Sequence, residues 1–127
     1  MGFLIDTSAL IDVFISRSSS EKIRELVRGK EFFVSSITVY EFNKAKNPDS
    51  RILEFLKNCP VLGFNVDEAK IASMISKELR KNGKAINEMD ILISAIAITN
   101  RLTVVTKDKD FEEVENVLKE FKVKIFG

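Results

Sequence analysis

MGFLIDTSALIDVF, residues Met1 to Phe14, decides how the rest of the chain is read. Gly2 to Ile5 is a short apolar run of the kind a buried parallel strand shows, and Thr7 and Ser8 are residues that start helices. Ala9, Leu10, Val13 and Phe14 then recur at helical spacing. Asp6 therefore falls at the carboxyl end of a strand and the start of a helix. In open α/β sheets that edge is where ligands sit, because strand ends and helix starts meet there in a crevice.

The same alternation continues outward. Ser16 to Ser20 breaks the first helix, and Ser20 caps a second, with Ile23, Leu26 and Val27 buried and Gly29 at its end. Glu31 to Ser35 reads as strand two, Ile37 to Lys46 as a helix closed by Pro48, and Ser50 to Asn58 as a further helix. Cys59-Pro60 forces an extended exit into strand three, Val61 to Asn65. Val66 to Asn82 is the clearest amphipathic helix, stopped by Gly83. The helix from Asn87 to about Asn100 is apolar on nearly every side and is expected to be central. Leu102 to Val105 gives strand four, Phe111 to Phe121 a last helix, and Lys122 to Phe126 an edge strand. This βα rhythm over residues 1–127 predicts one α/β domain without internal repeats or linkers.

Composition narrows the chemistry. The 127 residues include a single cysteine, Cys59, so no internal disulfide forms; Cys59 is expected in the core. Histidine is absent altogether, which removes Ser-His-Asp and Cys-His catalysis and the usual zinc ligand sets. The 20 Lys and Arg against 19 Asp and Glu leave a formal charge of +1, so no global field announces a partner. Local basic clusters stand at Lys44, Lys46, Arg51 and Lys57 and at Arg80, Lys81 and Lys84, which read first as solvated helix faces. The amino terminus has no basic region or small-residue cleavage site, and no apolar run reaches the roughly 20 residues a bilayer requires. A cytoplasmic protein without a membrane association is expected.

Four acids stand out by position: Asp6 and Asp108 after apolar strands, Glu41 in the first turns after strand two, and Asp90 early in the buried helix. Singly, each has an ordinary explanation as a helix cap; Asn87-x-x-Asp90 and Thr38-x-x-Glu41 approximate capping boxes, and Asp6, Asp108 and Asp110 can cap the helices after their strands. A parallel sheet, however, brings all four to one edge. Two carboxylates ~5 Å apart repel by about 3 kcal/mol at an effective dielectric near 20, so such a cluster calls for protons or cations. Oxygen donors without imidazole or thiolate favour Mg²⁺ or Mn²⁺, which commonly serve phosphoryl transfer.

Four segments in this order carry a family resemblance: Leu4-Ile5-Asp6-Thr7-Ser8, Ser36-Ile37-Thr38-Val39-Tyr40-Glu41, Asp90-Ile91-Leu92-Ile93-Ser94-Ala95-Ile96-Ala97 and Val105-Thr106-Lys107-Asp108-Lys109-Asp110-Phe111. They resemble the PIN domains, and among them the small nucleases of VapC type, over nearly the whole chain. The resemblance implies a three-layer α/β/α fold with a central, mainly parallel sheet of four to five strands. It also implies a metal-dependent ribonuclease site made of Asp6, Glu41, Asp90 and Asp108. Thr7 and Thr106 match positions whose hydroxyls support the acids, and Asp110 matches a common extra acid; Ser8 and Ser94 rank lower. Glu88 points elsewhere on helical geometry. Members are often dimeric toxins held inactive by a small antitoxin, so RNA, an antitoxin and a second copy are the partners implied.

Other readings fit less well. A haloacid-dehalogenase-type phosphatase needs a second Asp two residues after Asp6, where Ser8 stands, and a receiver-type domain needs a central aspartate after strand three, where Asn65 stands. A catalytically silent PIN-like module that binds RNA or protein is the remaining alternative, and the complete acidic set speaks against it.

Overall fold

The computed structural model describes residues 2–127, leaving Met1 of the opening stretch outside the described residues. Among them, five strands form one sheet: β1 Phe3–Ile5, β2 Phe32–Ser35, β3 Val61–Leu62, β4 Thr103–Thr106 and β5 Lys122–Ile125. Their spatial order is β3-β2-β1-β4-β5, and every pairing is parallel. Phe3 pairs with both Phe32 and Thr103, and Ile5 with Val105, which puts β1 at the centre.

Helices cover both faces. α1 (Thr7–Ile11) runs into a π-helical segment, Asp12–Ser16, ended by Arg17 in the left-handed conformation at φ 62°. α2 (Ser20–Val27), α3 (Ser36–Asn43) and α4 (Ser50–Lys57) follow, then α5 (Val66–Lys81), α6 (Glu88–Thr99) and α7 (Phe111–Val117). One core joins Leu4 and Val104 of the sheet to Ile75 and Leu79 of α5, Ile93 and Ile96 of α6, and Phe111 of α7. The other joins Ile5, Val34 and Val105 to Leu10, Ile23, Ile52 and Leu56 on the opposite face. Leu4 and Ile5, like Val104 and Val105, feed opposite cores because side chains alternate along a strand. The result is the expected three-layer α/β/α arrangement with five strands, all parallel.

Several element boundaries shift from the expected ones, each for a local reason. β3 stops at Leu62 instead of Asn65, since the Asn65 N–H is taken by Glu68 Oε1 at 2.8 Å to open α5. α7 ends at Val117 instead of Phe121, whose ring returns to Phe111 at 6.2 Å between centroids. Ser20 lies inside α2 and donates to the Val13 carbonyl at 3.2 Å; Ser19 holds the cap position. α3 starts one residue early at Ser36, with the Ser35 hydroxyl accepting the Thr38 N–H at 3.1 Å. Cys59 packs half-buried against the second core, and burial pushes its thiol up to about 11. No helix among the described residues is long and apolar enough to cross a membrane.

Candidate metal centre

In the order β3-β2-β1-β4-β5 the winding of the sheet reverses between β1 and β4, and the carboxyl ends of these two strands flank the switch point where α/β sheets build sites. Asp6 follows β1 and Thr106 ends β4. Asp6 is 4% exposed. Its Oδ2 accepts two hydroxyl hydrogen bonds, from Ser8 Oγ and Thr106 Oγ1, each at 2.8 Å. Those hydroxyls in turn accept main-chain N–H groups from the loop after β4: Lys107 donates to Ser8 Oγ at 2.9 Å and Asp108 to Thr106 Oγ1 at 3.0 Å. Burial pushes the Asp6 carboxyl above its ordinary value, and the Thr106 and Ser8 hydroxyls oppose that shift.

A second hydroxyl chain reaches Glu41. Ser35 Oγ donates to Thr38 Oγ1 at 3.3 Å, Thr38 and Thr7 hydroxyls lie 3.1 Å apart, and Thr7 Oγ1 donates to Glu41 Oε1 at 2.6 Å. Since Thr7 gives its proton to Glu41, Thr38 is the donor to Thr7. Neighbouring strands β1 and β2 thus present their first helical turns to each other, and the short bond to a carboxylate is of the strong, charge-assisted kind.

The third part lies at the start of α6 and the loop before α7. Asp90, Asp108 and Asp110 each offer a carboxylate oxygen within 4.8 Å of the others. Asp90 is half-buried, and its carboxyl is pushed up to about 7, first by burial and then by the negative charges of Asp6, Asp108, Glu41 and Asp110. Asp6 and Glu41 thus act on Asp90 through their charge, but neither joins Asp90, Asp108 and Asp110 in the group whose oxygens lie within 4.8 Å of one another. Asp110, expected only as an extra acid, shares the tightest group, while its own N–H binds Asp108 Oδ1 at 2.9 Å.

The helix-cap explanations do not account for Asp6, Glu41, Asp90 or Asp110, whereas Asp108 does accept an N–H of the turn before α7. Asp6 occupies the cap position of α1 without a capping side-chain hydrogen bond, and Asp110 stands likewise before α7. Ser35 caps α3 and Asn87 caps α6 through Met89 N–H at 2.8 Å, so neither Glu41 nor Asp90 completes a box. Ser94 donates to the Asp90 main-chain carbonyl at 2.8 Å, and Glu88 is exposed beside Arg80 and Lys84. Ser8 ranks higher here than its sequence position suggests, and Thr38, which the sequence offers only as the start of a capping box, joins the network. Their partners become visible only when β1 pairs with β2 and β4.

Oxygen-only donors, three of them within sharing distance, and a carboxyl held half-protonated near neutrality together fit a hard divalent cation, which would relieve the mutual repulsion. The basic clusters are partly neutralised, by Arg51 with Asp49 at 3.0 Å, Lys81 with Glu78 at 3.5 Å and Lys84 with Glu113 at 3.6 Å.

Comparison with known proteins bears on the fold and the family. Ribonuclease VapC1 of Methanocaldococcus jannaschii is 32% identical over 126 residues, covering 97% of this chain and 85% of that protein. Ribonuclease VapC2 of Haemophilus influenzae is 32% identical over 120 residues, covering 88% and 91%. In fold, the chain superposes with a TM-score of 0.81 on a chain of VapBC2 from Rickettsia felis bound to a DNA fragment from its promoter, at 21% identity with both chains covered in full. VapBC-1 from nontypeable H. influenzae gives 0.78 at 21% identity, covering 98% of each. The PIN domain model matches residues 3–117, and with the site and fold described above the chain belongs to the PIN domain family.

Proposed function

We propose that this chain is a metal-dependent ribonuclease in which Asp6, Glu41, Asp90 and Asp108 hold Mg²⁺ or Mn²⁺, with Asp110 beside them. The observation that carries the reading is Asp90, whose carboxyl feels the charges of the four other acids at the carboxyl edge of the sheet. Relatives at about one-third identity named ribonucleases support the reaction class. A bound divalent ion supplies Lewis-acid stabilisation of a phosphodiester in the transition state and lowers the pKa of water. The chain's own part is orientation and charge. Ser8 and Thr106 aim the Asp6 carboxylate, and Thr7 aims Glu41. Asp90, whose carboxyl lies near neutrality, gives up its proton as the site fills. No histidine base is needed.

The chain is read as one domain over residues 1–127, working in the cytoplasm as a homodimer restrained by a small antitoxin. The named VapBC complexes of similar fold support the antitoxin, and the family resemblance supports the dimer. Sedimentation with and without the partner tests both. The enzymatic reading is tested by incubating single-stranded RNA with the purified protein, Asp6→Asn and Asp90→Asn in Mg²⁺ or Mn²⁺ and in chelator. The parent alone, and only with metal, is expected to cut. Equal cleavage by the variants removes these acids from the mechanism; no cleavage by any of them leaves a PIN-like binding module. RNA binding should also weaken as salt rises.

A further inference from the structure

Lys107 stands between Thr106 and Asp108, in the loop that carries Asp108 and Asp110. Its ammonium is spoken for: it lies 3.3 Å from Asp12 Oδ1, 2.6 Å from Ser18 Oγ and 3.4 Å from Ser19 Oγ. Asp12 opens the π-helical segment after α1 and is 2% exposed. It also accepts the Ser18 N–H at 3.0 Å, the Ser18 hydroxyl at 2.7 Å and the Ser19 N–H at 2.8 Å. A buried carboxylate satisfied by four donors stays charged and holds its cation firmly. Burial pushes the Asp12 carboxyl up, but the Ser18, Ser19 and Lys107 donors outweigh it and leave the carboxyl below its ordinary value.

Residue 107 is thereby fixed twice. Its side chain is tied to the corner between α1 and α2, and its main-chain N–H is tied to Ser8, which holds Asp6. The next residue is Asp108, whose N–H binds Thr106 and whose carboxylate takes the Asp110 N–H. A free lysine beside an acidic site would serve to bind phosphate; this one is engaged on the fold. We propose that Asp12 and Lys107 are a positioning pair that sets the loop after β4 so that Asp108 and Asp110 meet Asp90. This rests on the metal-site reading given above, but the pair makes no contact with the metal-sharing oxygens itself.

Charge and position act with opposite sign here, which makes the test sharp. Lys107→Met deletes a positive charge near an acidic cluster, and by charge alone Mn²⁺ would bind more tightly. Loss of positioning weakens binding instead, by about tenfold, at the low end of what outer-lying partners of metal ligands contribute. Mn²⁺ titration of the full chain followed by electron paramagnetic resonance reads this directly. Amide hydrogen exchange over residues 106–111 in metal-free protein reads the loop; exchange should quicken there and not in the α5 and α6 cores. Lys107→Arg should restore both readouts in large part.

Lys107→Met that binds Mn²⁺ as tightly as the parent or tighter, or exchanges at the parent rate over 106–111, overturns the pair. Should Lys107→Met fail to fold, Ser18→Ala removes one bond to Asp12 and one to Lys107. Mn²⁺ affinity and exchange protection over 106–111 should both fall there as in Lys107→Met, and a parent-like value of either overturns the pair. A parent that binds no Mn²⁺ defeats the metal reading, and the metal-free exchange measurement then decides the pair by itself.

Discussion

Thr106 Oγ1 lies 2.8 Å from Asp6 Oδ2, joining residues 100 positions apart at the point where the winding of the sheet reverses. The hydroxyl gives its proton to Asp6 and receives the Asp108 N–H, so one side chain orients two acids. Thr106→Val keeps shape and removes both bonds. It leaves a buried carboxylate oxygen and a main-chain N–H short of a partner, and should cost about 1–3 kcal/mol of stability in urea denaturation. Metal affinity should drop about tenfold. Thr106→Ser, which retains the hydroxyl, should lie near the parent in both measurements; equal losses in Ser and Val would show that the methyl group, and not the hydrogen bonds, matters.

Thr7 makes the corresponding bond to Glu41 and is itself held by Thr38. Thr7→Val leaves Glu41 without that donor and breaks the chain to Ser35. Mn²⁺ affinity is expected to weaken about tenfold while the fold persists, because Thr7 is only partly buried. Titration calorimetry of Thr7→Val beside Thr7→Ser checks it, with the Ser variant close to the parent.

Much of this is legible in the sequence, and the reason is topological. Once Phe3–Ile5 and Thr103–Thr106 are read as parallel strands, Asp6 and Asp108 must emerge on the same edge, and Glu41 and Asp90 join them from the second turn of α3 and the first turn of α6. Bonds between elements whose neighbourhood is set by strand order are not legible in that way. Thr38 reads as the start of a capping box until β1 pairs with β2 and puts Thr7 beside it. Asp12 carries no signal in the sequence, because its partner Lys107 is 95 residues away. Short elements are the least legible, since β3 has only two residues and Asn65 belongs to the turn that starts α5.

The carboxyl of Asp90, at about 7, links metal binding to pH. A divalent ion requires the ionised form, so each pH unit below that value should weaken Mn²⁺ binding by up to about tenfold, and binding should level off above it. Measuring the Mn²⁺ dissociation constant from pH 5 to pH 8.5 checks this. A flat profile would mean that Asp90 is not a ligand, or that its neighbours do not act on it.

The same shift predicts the stability of the metal-free protein, in the opposite direction. The folded chain holds the Asp90 proton more tightly than the unfolded chain does, so this contribution is complete below about pH 4 and fades as pH rises through about 7. The loss amounts to about 2 kcal/mol once screening by water at this half-buried site is allowed for. Asp90→Asn removes the titrating charge. Without metal it should be more stable than the parent at pH 8 by a similar margin and close to it at pH 4. With Mn²⁺ at about a hundred times its dissociation constant, the parent should gain about 2.7 kcal/mol, roughly 10 °C in melting temperature, and Asp90→Asn little. Thermal melts at both pH values with and without Mn²⁺ separate the possibilities. A metal-free Asp90→Asn that is less stable than the parent at pH 8 would show that Asp90 holds the fold together, and that its carboxylate is not kept at a cost for a cation.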